Sequence, residues 1–130
     1  MVSATNTGRA GEHLVAHLLI LRGCHVSIVD SEGVDLWVMT PAGDTINIEV
    51  KSAYPRAPEV GRNRSIRYAF TLHSTVKAEY MAFVALDLGL FLLRRPLAKN
   101  AKQCAIPRRH FTPEAMEETI NAHLLLKPPS

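Results

Sequence analysis

The chain has 130 residues, 47% of them hydrophobic and 21% charged, with a formal net charge of +3. That length and balance fit one compact domain over residues 1–130 and exclude a disordered tail protein. The longest apolar stretches, Met81 to Leu86 and Leu88 to Leu93, are too short to cross a bilayer, and no basic segment followed by an apolar run opens the chain, so a soluble cytoplasmic protein without membrane association is expected.

The first predicted element is a helix over about Arg9 to Arg22. Leu14, Leu18 and Leu21 recur at helical spacing with Val15 and Leu19 beside them, and Gly23 is placed as the stop. Glu12 precedes Val15 by three positions and Leu19 by seven, which sets a carboxylate at the edge of the buried face, where an acid without a task is costly. Taken alone it reads as an ordinary acid of a first helical turn. His13 and His17 are four apart on the same helix, but no third metal ligand is suggested nearby, and they read as surface histidines.

Three strands follow, about His25 to Val29, Val34 to Met39 and Thr45 to Lys51. They are separated by the turn-forming runs Asp30-Ser31-Glu32-Gly33 and Pro41-Ala42-Gly43-Asp44. The short connections imply an antiparallel meander. In the third strand Ile46, Ile48 and Val50 fall on one face and Asn47, Glu49 and Lys51 on the other, so Glu49 and Lys51 project side by side. Trp37 shares the face of Asp35 and is expected in the core.

Residues 53–66 hold Pro55, Pro58 and Gly61 with Arg56, Arg62 and Arg64, which reads as a basic loop able to clamp a substrate. Arg67 to Leu72 is expected as a further strand, Ser74 to Glu79 as a short helix, and Met81 to Asp87 with Leu90 to Arg94 as a hairpin-like pair. Thr112 as N-cap, Pro113 in the first helical position and Glu114 after it begin a final helix; Met116, Ile120 and Leu124 make its apolar stripe and Pro128 ends it. Cys24 and Cys104 lack any CxxC partner and read as reduced thiols.

Charge is unevenly spread. Residues 1–53 carry three basic and six acidic side chains, residues 54–110 eleven and three, and residues 111–130 one and three. A basic middle offers phosphate contacts, whereas acids beside it would repel nucleic acid unless cations neutralise them. Hydrolysis of a phosphodiester needs such a cation, an activated water and stabilisation of the leaving oxygen. Magnesium takes oxygen ligands, and Asp35 and Glu49 on adjacent strands would supply two, with Lys51 in reach of the phosphate and the attacking water.

Each feature alone has a plainer explanation. Asp35 can cap a strand entry, and Glu49 with Lys51 can form a same-face surface pair worth little. The order Gly11-Glu12, Gly33-Val34-Asp35-Leu36 and Ile48-Glu49-Val50-Lys51, however, resembles the PD-(D/E)XK nucleases, the restriction-endonuclease-like fold that includes the archaeal Holliday-junction resolvases. The resemblance covers the N-terminal half closely. Val34 stands where the family's motif carries proline.

That resemblance implies an α/β (α+β) core of a helix, a three-stranded meander, a second helix and further strands in a mixed sheet, closed here by the C-terminal helix. It implies that Asp35, Glu49 and the backbone carbonyl of Val50 hold Mg2+, with Mn2+ able to substitute. Glu12 would bind a metal water or a second ion, and Lys51 would be the active-site lysine. Tyr68, Phe70 and Lys77 are placed by analogy.

The expected activity is a metal-dependent endonuclease acting on DNA, structure-selective on branched DNA. Restriction-like, homing and repair modes stay open within the same chemistry, as does a non-catalytic nucleic-acid-binding or assembly subunit of the same fold. Arg56, Arg62, Arg64, Arg67, Lys77, Arg94 and Arg95 are the expected nucleic-acid contacts, and Lys99, Lys102, Arg108 and Arg109 extend the later basic cluster. No small-molecule cofactor is expected. A homodimer is, because one small domain carries one centre and duplex DNA has two strands.

Overall fold

The computed structural model describes residues 3–31, 33–56, 66–72, 77–96 and 102–124. Helix α1 (Ala4–Ile20) leads into strands β1 (His25–Ser31), β2 (Val34–Met39) and β3 (Thr45–Ala53). After them come β4 (Arg67–Thr71), β5 (Tyr80–Ala85), β6 (Leu90–Arg94), β7 (Gln103–Pro107), a short 3-10 turn (Arg108–His110) and helix α2 (Pro113–Leu124). The main sheet has the order β1-β2-β3-β5-β6, and β4 pairs with β7 in a separate ribbon. Adjacent strands are antiparallel except β3 and β5, which are parallel, so the sheet is mixed as expected.

α1 starts five residues before the anticipated Arg9, because the Ser3 side chain accepts a hydrogen bond from the Asn6 N–H at 3.1 Å and caps an extra turn. It ends at Ile20, two residues before the anticipated Arg22, and leaves Leu21 exposed: Gly23 adopts φ 90°, and the Gly23 and Cys24 N–H groups donate back to the Ile20 and Leu19 carbonyls. Val15 and Leu19 are fully buried on the sheet, and each such burial contributes about 1.5–3 kcal/mol. α2 is capped by Thr112, whose hydroxyl oxygen accepts from the Ala115 N–H at 3.0 Å, and it buries Met116, Ile120 and Leu124 against β6. Pro128, the anticipated end of that helix, lies outside the described residues.

Period-two alternation divides the sheet into two faces. Leu36, Val38, Ile46, Ile48, Val50, Ala82, Val84, Phe91 and Leu93 join Val15, Leu19 and the stripe of α2 in one cluster. On the opposite face Met81, Phe83, Ala85 and Leu92 meet Tyr68, Phe70 and Ile106 of the β4–β7 ribbon, with Phe70 and Phe83 in an edge-on contact at 5.0 Å.

The ribbon packs over the β5–β6 side of that face, reaches the end of β3, and leaves the β1–β2 side open. This corrects the expectation for Trp37: it shares the face of Asp35 but is 59% exposed and takes no part in the core. β7 was not anticipated. Of the helix expected at Ser74 to Glu79, residues 74–76 lie outside the described residues, and Lys77, Ala78 and Glu79 are not helical. The β5–β6 hairpin forms as its two apolar runs suggested, turning through Gly89 at φ 65°. No helix among the described residues is long and apolar enough to cross a membrane.

Candidate active site

The site arises where β2 and β3 part. Their pairing ends at Leu36 opposite Ile48, while β3 continues in parallel with β5 as far as Ala53. Beyond that point the β2 side of β3 has no strand partner among the described residues. The Val50 N–H is claimed instead by a side chain, donating to Asp35 Oδ2 at 2.7 Å. The N–H and carbonyl of one strand residue point to the same side, so the Val50 carbonyl also faces this notch.

Glu49 and Lys51 occupy the same face as Asp35, because both alternate with residues buried beneath the helices. Glu49 is only 7% exposed. Its Oε1 lies 3.6 Å from Lys51 Nζ, and among the described residues its Oε2 has no hydrogen-bond partner. A buried carboxylate oxygen without a donor is costly unless something outside the chain completes it.

Glu12 reaches the notch from α1. The close approach is made by Gly11: a Cβ there would collide with Ser52 Oγ and come within 3.0 Å of Ser52 Cβ, so the helix rests directly on β3. Carboxylate oxygens of Glu12, Asp30 and Asp35 all lie within 4.8 Å of one another.

The sequence reading missed Asp30. It stands beside Ser31, Glu32 and Gly33 and was assigned with them to a turn. In the structure β1 runs on through Ser31, and the register passes from Ile28 opposite Leu36 to Ser31 opposite Val34, one extra residue on β1. This bulge holds Asp30 at φ 45° and turns its side chain to the other two acids. The Gly33-Val34-Asp35 turn that follows is visible in the sequence; the bulge before it is not.

Burial and the neighbouring acids raise the proton affinity of Glu12 and of Asp35. The Glu12 carboxyl is pushed up to about 8, first by burial, then by its hydrogen bond to Asp30 and by the charges of Asp35 and Asp30, with Arg9 opposing. Asp35 is also raised, by burial and by Asp30, against the Val50 N–H and Lys51. The folded metal-free chain therefore keeps a proton on Glu12 that the unfolded chain releases above its ordinary value of 4.5. Between these values the unfolded state binds fewer protons, so stability falls as pH rises. Thermal melts of the metal-free protein should show a midpoint that declines from about pH 4.5 toward about pH 8, and Glu12→Gln should flatten that decline. An unchanged slope in the variant would remove Glu12 as its source.

The basic residues are divided. Lys77 is exposed, and its stem packs on the Gly33 turn, with its Cβ 3.3 Å from where a Cβ on Gly33 would be, two residues from Asp35. Arg56 and Arg67 are exposed beyond the end of β3, joined by an Arg56 N–H to Arg67 carbonyl bond of 2.8 Å. Arg94 lies in register with Met81, which lies in register with Glu49, placing it two strands from the notch. Arg95 turns to the helix-covered face, with its guanidinium 5.1 Å from the Tyr80 ring centroid. Arg108 is held by Asp87 at 3.4 Å, which also accepts from the Tyr68 hydroxyl at 2.7 Å. Arg62, Arg64 and Lys99 lie outside the described residues. His13 and His17 are exposed, and both cysteines are free.

An N-terminal helix, an antiparallel meander, a parallel strand beyond it and a closing helix make a mixed α+β fold, and the acids gathered where the second and third strands part are compatible with a divalent cation. The solved structure of the bacterial homing endonuclease I-Ssp6803I superimposes with a TM-score of 0.69 over 96% of this chain and 92% of that one. Sequence identity is 16%, so the likeness is one of fold. No family model and no curated protein sequence matches the chain.

Proposed function

We propose that this chain is a Mg2+-dependent endonuclease that hydrolyses phosphodiester bonds in DNA. One observation carries the reading: Glu12, Asp30 and Asp35 converge in a notch whose neighbouring strand presents Lys51 and Glu49 on the same face as Asp35, with Glu49 Oε2 lacking a hydrogen-bond partner among the described residues. The donor set is all oxygen, which suits Mg2+ or Mn2+ and not a thiolate-loving metal. A bound ion would supply neutralisation of the phosphate and a more acidic water.

The chain's own residues do the rest. Lys51 places a positive charge beside the phosphate position, and its Glu49 partner limits where the ammonium can swing. Asp35, anchored to the Val50 N–H, is kept from rotating away. Lys77, Arg56 and Arg67 supply backbone-neutralising charge on the same part of the molecule. Trp37, two residues along β2 on the same face, offers an aromatic surface for a base or sugar. Two chains acting as a homodimer would bring one centre to each strand of a duplex.

The structural neighbour is a homing endonuclease by name and nearly the same length, so a short chain is no argument against endonuclease activity. The test is incubation with supercoiled, linear, single-stranded and four-way-junction DNA, with and without Mg2+. The fluorescence of Trp37, the chain's one tryptophan, reports binding separately. Metal-dependent cutting with a change in that fluorescence is expected. Preference for the junction assigns branched DNA; a few discrete products from linear duplex assign a site-specific mode. Binding without cutting in any metal would replace the nuclease with a binding subunit.

A further inference from the structure

We propose that Asp30 is a direct ligand of the divalent cation, so that Glu12, Asp30 and Asp35 form a three-carboxylate seat that holds the ion before nucleic acid arrives. This deepens, and rests on, the reading of the notch as a metal centre.

The first support is backbone geometry. A non-glycine residue in the left-handed region is uncommon, and here it coincides with a one-residue bulge in β1. A bulge also serves to blunt an edge strand, and β1 is an edge strand, but that purpose places no demand on the side chain. Asn or Gly would fill the same conformation without adding a charge.

Separation is the second support. Ligand oxygens at about 2.0–2.1 Å from Mg2+ stand roughly 3 to 4 Å apart, and about 5 Å apart across a larger ion. Three oxygens already within 4.8 Å of one another need only small side-chain rotations to close on one cation.

Charge gives the third. Four carboxylates, those of Glu12, Asp30, Asp35 and Glu49, face the cationic side chains of Lys51 and Arg9. The balance of fixed charge around the seat is negative, which favours a cation.

The independent sign that a ligand belongs here is Glu49 Oε2. It belongs to a side chain more than nine-tenths buried, on the same face as Asp35 and opposite it in the extended register, and it accepts from nothing among the described residues. An ion in the seat, or its water, would supply that missing contact.

The experiment is titration of Mn2+ into the metal-free full chain without DNA, read by calorimetry and by the Mn2+ paramagnetic resonance signal. Asp30→Asn and Asp30→Gly both keep the left-handed conformation available, and their metal-free melting temperatures report folding. The proposal expects the parent chain to bind Mn2+, both variants to bind at least tenfold more weakly, and neither to melt lower than the parent. A change of less than tenfold in both variants, with binding lost in Asp35→Asn, overturns the role of Asp30 and leaves the nuclease reading standing. No Mn2+ binding by the parent chain, together with no cleavage of any DNA, removes the metal centre itself and this inference with it.

Discussion

Lys51→Ala and Asp35→Asn should each slow metal-dependent DNA cleavage by about a thousandfold or more, equivalent to about 4 kcal/mol of transition-state stabilisation. The reasons differ. Lys51 is a mostly buried cation tied to Glu49 on the face of Asp35, and its truncation leaves a buried carboxylate with no counter-charge where a phosphate would approach. Asp35 is both a cluster acid and the acceptor for the Val50 N–H. Asparagine keeps an oxygen for that N–H but gives up the charge.

Lys51→Ala should lower the melting temperature, since it leaves Glu49 buried without its counter-charge, so its cleavage is measured where the variant is folded. For Asp35→Asn the metal-free melting temperature should hold or rise, because a buried carboxylate raised by its neighbour is relieved. Single-turnover cleavage on the best substrate is the measurement. Either variant retaining activity within tenfold of the parent, while folded, would sink the role given to that residue.

Two glycines of α1 should respond to substitution with opposite signs. Gly8→Ala should stabilise by about 0.5–1 kcal/mol: nothing lies within 4 Å of the added Cβ, so only the better helix propensity acts. Gly11→Leu should destabilise by about 1–3 kcal/mol, since its Cβ must displace Ser52, with Val50 Cγ1 only 3.4 Å away. The loss should reach the site as well. Lifting α1 off β3 carries Glu12 out of the notch, so cleavage by Gly11→Leu should fall even at temperatures where the variant stays folded. Denaturant titrations and cleavage assays on the same preparations would check both effects. Equal stability of the two variants would mean that α1 does not rest on β3 as described.

Much of the scaffold was legible because its signals are local. The leucine spacing of the first helix, the glycine that ends it, the Thr112-Pro113 start of the last helix and the alternation in β3 each depend on residues a few positions apart. Period two placed Glu49 and Lys51 on one face, and the short turns made β2 and β3 neighbours, which put Asp35 on that face too. These inferences need no knowledge of the rest of the chain.

What escaped depends on distant contacts. Whether Trp37 is buried is decided by where the β4–β7 ribbon lies, and that ribbon pairs Arg67–Thr71 with residues some three dozen positions later. Composition cannot say which half of a sheet face it will cover. Arg94 and Arg95 look alike in sequence, yet Arg94 closes β6 in register with Met81 while Arg95, just past the strand's end, meets Tyr80.

Asp30 is the sharpest case. By itself the chain determined a helix, a meander and a charged strand with the residue types of a metal site. Tertiary structure alone decided that β1 takes one residue more than β2, and that this residue is an acid facing two others. A bulge is a mismatch between two strands, so no property of either strand alone encodes it.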